Sequence, residues 1–88
     1  MNKKLKERAI AQQTATKIIG MTIEGAREYC AYMQVDCRLV KANGKGLMCT
    51  ADVKMNRVNI TIEKAKKITH SDKTVSYTGG TVTKANIG

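Results

Sequence analysis

The sequence predicts an α+β fold: one helix packed on a small mixed sheet, with a long exposed loop between two strands and a basic N-terminal helix or arm. Three observations carry this prediction. Apolar residues recur every three to four positions behind a capping threonine at 23–34, and a period of two appears at 35–41 and again at 57–63. Ten residues with neither period, 47–56, precede the second of these strands.

The elements follow in order. Residues 2–17 are lysine-rich, with Leu5, Ala9 and Gln12-Gln13 at helical spacing and Ile10 beside them. The apolar stripe is thin, and an isolated helix of this length is marginal in water. A frayed helix or flexible arm is expected over 1–18. Thr22 then supplies an N-cap oxygen, and Glu24 places a carboxylate at the positive end of the helix dipole. Ile23, Ala26, Tyr29 or Cys30, and Met33 share one face of the helix, which Gly25 weakens somewhat. In 35–41, Val35, Cys37 and Leu39 alternate with Asp36, Arg38 and Lys41, and Asn43-Gly44-Lys45-Gly46 is turn chemistry. The strand 57–63 puts Val58, Ile60 and Ile62 inward and Asn59, Thr61 and Glu63 outward. A connection this long implies that its two strands are parallel or are spread apart by the loop. Segments 65–69 and 73–78 read as two short strands around a turn at Ser71-Asp72, with Gly79-Gly80 ending regular structure. The domain expectation is an arm at 1–18, an α+β domain at 19–80 and a flexible tail at 81–88.

Composition narrows the function. Sixteen Lys and Arg against seven Asp and Glu give a formal charge of +9 in 88 residues. That excess favours acidic partners: nucleic acid, an anionic membrane surface or an acidic protein face. There is no Phe or Trp, and only Tyr29, Tyr32 and Tyr77 supply rings, so base-stacking platforms have little to be built from. The polar start at Met1-Asn2-Lys3-Lys4 and the short apolar run at Ile18-Ile19-Gly20-Met21 resemble neither a signal peptide nor a membrane span. A cytoplasmic protein with no membrane partner is expected, as monomer or dimer. Cys30, Cys37 and Cys49 lack metal-ligand spacing and read as free thiols, although Cys30 and Cys37 could meet across the helix–strand connection as a disulfide. A pairing of His70 with one of these cysteines is the single catalytic arrangement on offer, and buried structural cysteines are the commoner case. No enzyme activity, cofactor or metal is expected.

Two blocks of the sequence resemble a known family. Ile19-Gly20-Met21-Thr22-Ile23-Glu24-Gly25-Ala26-Arg27 is similar to the helix-opening segment of the potato inhibitor I family of serine peptidase inhibitors and its bacterial relatives. Thr50-Ala51-Asp52-Val53-Lys54-Met55-Asn56-Arg57-Val58-Asn59-Ile60 is similar to their reactive loop and the strand that leaves it. Order and separation of the blocks match as well, over about half the chain. The resemblance implies a substrate-like loop, Cys49, Thr50, Ala51, Asp52 and Val53, whose bond after Ala51 occupies the scissile position. It also implies that Arg57 braces the loop through Asp52 and Thr50, with Asn59 as a second donor on the same side of the strand. A small Ala51 implies a target with a shallow primary pocket, a protease of subtilisin or elastase type. The loop lacks proline, which leaves its stiffness to Arg57. The alternative is a basic binding module on the same scaffold that engages nucleic acid or an acidic protein through Lys3, Lys4, Lys6 and Arg8, and through Lys64, Lys66 and Lys67.

Overall fold

A computed structural model describes residues 3–47 and 52–88, with side chains from Lys6 onward. Two helices, α1 (Lys3–Ile18) and α2 (Ile23–Tyr32), are followed by four strands: β1 (Asp36–Ala42), β2 (Lys45–Gly46), β3 (Arg57–Thr69) and β4 (Val75–Ile87). The strands form one mixed sheet in the order β2-β1-β3-β4, and the helices pack on it around a single aliphatic core. β1 and β3 are parallel, with Asp36 beside Arg57 and Arg38 beside Asn59; the other pairs are antiparallel. Of the two arrangements open to the long connection, the chain adopts the parallel one.

Helix α2 begins as its sequence dictates. The Thr22 hydroxyl accepts from Gly25 N at 3.1 Å, and Ile23, Ala26 and Cys30 are buried. It stops two residues earlier than the periodicity suggests, because Gln34 adopts a left-handed φ of 57° and lets Val35 N reach Cys30 O at 2.8 Å. Val58, Ile60 and Ile62 are buried from β3, and Val82 joins them from β4.

Four expectations require correction. Helix α1 is no solvated arm. Ala11, Thr14, Ala15 and Ile18 lie at spacings of three, one and three, and all are buried against the sheet and α2. Small side chains give a weak hydrophobic signal yet allow a close helix–sheet approach. Thr14 meets its hydrogen-bonding need by donating to Ile10 O at 2.8 Å. Nor is 81–88 a tail. Its residues continue β4, and the two short strands expected at 65–69 and 73–78 are the outer halves of β3 and β4. Gly79-Gly80 lies inside β4, where both glycines take positive φ opposite Lys64 at φ 59°, and pairing with β3 continues through them. The turn beyond it closes near Ser71-Asp72 as read: Asp72 Oδ1 accepts from Thr74 N and Oγ, and His70 N bonds Thr74 O.

Candidate functional site: a buried guanidinium beneath the loop

Arg57 opens β3 at the end of the sheet where the loop 47–56 arrives. Arg57 is 6% exposed, and so buried an arginine requires hydrogen-bonding partners. Nη1 donates to Asp52 Oδ2 at 3.2 Å, while Nη2 donates to the main-chain oxygens of Asp52 at 2.8 Å and Gly88 at 3.0 Å. Nε is buried with no hydrogen-bond partner among the described residues. One guanidinium thus ties the loop to Gly88, the residue that follows β4.

The carboxylate of Asp52 faces a second cation. Arg38 Nη1 lies 3.6 Å from Asp52 Oδ1, and Arg38 Nε donates to Asn59 Oδ1 at 3.0 Å. The parallel register sets this up by placing Arg38 and Asn59 side by side. With the Asp52 side chain 48% exposed, each ion pair contributes on the order of 1 kcal/mol or less, so the network acts chiefly by geometry. The backbone after Asp52 is held too: Lys54 N donates to Gly88 O at 3.1 Å, and Asp36 N donates to Asn56 O at 2.9 Å.

Of the residues singled out in the sequence, Asp52 and Arg57 are brought together. Asn59 is near, and among the described residues its side chain is engaged by Arg38. Its carbonyl accepts from Arg38, which sets a second cation 3.6 Å from the Asp52 carboxylate. Val53 is 74% exposed. Cys49, Thr50 and Ala51 lie outside the described residues, as do the side chains of Lys3 and Lys4. Lys6 and Arg8 are exposed on α1. Lys64, Lys66 and Lys67 are exposed on β3, but the strand alternation turns Lys66 and Lys67 to opposite faces, so the three make no single patch. Arg38 and Gly88 were missed. Arg38 stands at an outward position of its strand, a signal that acquires meaning only once the pairing is known to be parallel. Gly88 carries no signal in the sequence, because only the β3–β4 pairing brings it to Arg57.

Cys30 and Cys37 are free thiols that hydrogen-bond one another between α2 and β1. Burial pushes the Cys30 thiol up to about 12, and burial also raises Cys37 against the opposing pull of Arg27. His70 sits at the tip of the ribbon and pairs with Ser76 across it. No cluster that could hold a metal ion occurs among the described residues, and no described helix is long and apolar enough to cross a membrane. Comparison with protein-family models, curated proteins and solved structures finds no match to this chain.

Proposed function

We propose that the protein is a serine peptidase inhibitor-like protein, in which Thr50-Ala51-Asp52 is offered to a protease as a substrate mimic and Arg57 braces it from below. The single observation that supports this reading is the buried Arg57 guanidinium holding both the carboxylate and the main-chain oxygen of Asp52. A flexible loop that enters a protease cleft loses conformational freedom and is cut; a loop already anchored loses less. If the bond between Ala51 and Asp52 is attacked, the new amine belongs to Asp52. A residue fixed at both its side chain and its carbonyl keeps that amine near the acyl group, which favours religation over release. Ala51 selects enzymes with a shallow primary pocket of subtilisin or elastase type, since a deep pocket gains little from a methyl group.

The test is inhibition of a subtilisin-, an elastase- and a chymotrypsin-type enzyme by the intact protein and by Arg57→Ala. The first two should be inhibited by the intact protein, and the variant should be cleaved after Ala51 and inhibit at least tenfold less, about the effect of losing one charge-assisted anchor. Absence of inhibition at micromolar concentrations with all three enzymes overturns the reading.

A further inference from the structure

A second surface lies away from the Arg57 network. Where the β3–β4 ribbon runs beyond the helices, its uncovered inner face forms the floor of a groove of about 560 Å³. Val75 and Tyr77 of β4 and Leu47, after β2, supply apolar floor and wall. Arg27 comes in from α2, Lys45 from β2 and Lys67 from β3, where it is paired with Tyr77 across the ribbon. All three cations are exposed, and none takes part in an ion pair among the described residues. No carboxylate lines the groove. Three like charges from three different elements converge on an apolar floor; Glu24 of α2 interacts with Arg27 but does not line the groove.

We propose that this groove binds an acidic polypeptide segment, with carboxylates meeting Arg27, Lys45 and Lys67 and an apolar side chain resting on Val75 and Tyr77. Charge complementarity selects an anionic partner. The apolar floor selects among anions: a nucleic-acid backbone presents phosphate and sugar there, and its bases find one ring, Tyr77, where stacking calls for a series. An acidic peptide presents alternating carboxylate and aliphatic groups at the spacing of an extended chain. This surface does not depend on protease inhibition, and a loop that fails to inhibit leaves it untouched.

The experiment titrates the full chain with a fluorescein-labelled peptide of alternating Glu and Leu, read by anisotropy at 50 and 150 mM salt and by amide chemical shifts. Arg27→Gln/Lys45→Gln/Lys67→Gln should weaken binding at least tenfold, while the control Lys17→Gln/Lys84→Gln, on exposed positions elsewhere, stays within about twofold. Shifts should cluster at Leu47, Lys67 and Tyr77. The amide spectrum of each variant checks that it remains folded, and Tyr77→Ala provides a variant that keeps all charges yet should still lose affinity. Equal losses in the groove and control variants overturn the proposal, as does a labelled single-stranded oligonucleotide that binds as tightly as the peptide and is lost with the same three substitutions.

Discussion

Arg57 ends up buried because three oxygens from two separate segments converge on it, and its neighbours inherit its constraints. At Gly88 a Cβ would stand 2.6 Å from Asn59 Nδ2, so Gly88→Ala has to displace the side chain that holds Arg38. Gly88→Ala should therefore loosen Asp52 without removing any group that touches it, and proteolysis after Ala51 should accelerate while the melting temperature changes little. Glu24 illustrates a different control. Gly79 N donates to its Oε1 at 2.8 Å and holds the carboxyl below its ordinary 4.5. A carboxyl with a depressed folded-state pKa stabilises the fold above its unfolded value, and that contribution is lost as pH falls through the folded one. Thermal melts from pH 6 down through 4.5 should show a falling melting temperature, and Glu24→Gln should flatten the fall. The Cys30 thiol, pushed up to about 12, should resist alkylation at pH 8 until the protein is unfolded, because only the thiolate reacts.

Helix α1 and the ribbon show what decides an element's fate. The sheet-facing stripe of α1 contains two alanines, a threonine and Ile18, so most of its large-residue contribution rests on one side chain. Ile18→Ala should cost about 2–4 kcal/mol in denaturant unfolding, while the neighbouring Ile19, 46% exposed, should tolerate the same change within about 0.5 kcal/mol. At the glycine pair of β4, a Cβ on Gly80 would meet Glu63 O at 2.8 Å with φ at 71°, whereas Gly79 at φ 66° has open space. Gly80→Ala combines strain with collision and should destabilise more than Gly79→Ala, where strain alone costs on the order of 1–2 kcal/mol. Across the sheet, Asn43 stands in for a missing strand. Its side chain donates to Ala65 O and accepts from Ala65 N, both at 2.9 Å, just past the last β1–β3 pair.

For the molecule as a whole, α2, β1 and the inner half of β3 were legible because large apolar residues mark their faces and Thr22 and Asn43-Gly44 mark their limits. The parts that were not legible share a cause: their evidence is tertiary. Ala11, Thr14 and Ala15 look inert until a sheet covers them. Thr81 to Ile87 alternate too weakly to announce a strand, and they form one because β3 offers a complete ladder beside them. The candidate site divides the same way. Asp52 and Arg57 were visible together in sequence, five residues apart, while Arg38 and Gly88 arrive through long-range pairing.

The joint between the two helices has its own consequence. Gly20 N and Met21 O both bond Val82, at 2.9 and 2.8 Å, so a short stretch of chain occupies the outer rim of β4 at its middle. The opposite rim of the sheet belongs to β2, only two residues long. The Gly20–Met21 stretch interrupts one side, β2 covers the other at Lys41 and Ala42, and the outer ribbon, where an open row persists, carries lysines on β3 that repel their own likeness. Both flanks of the sheet are interrupted, by a crossing segment or by charge, and each interruption works against growth by edge-to-edge pairing.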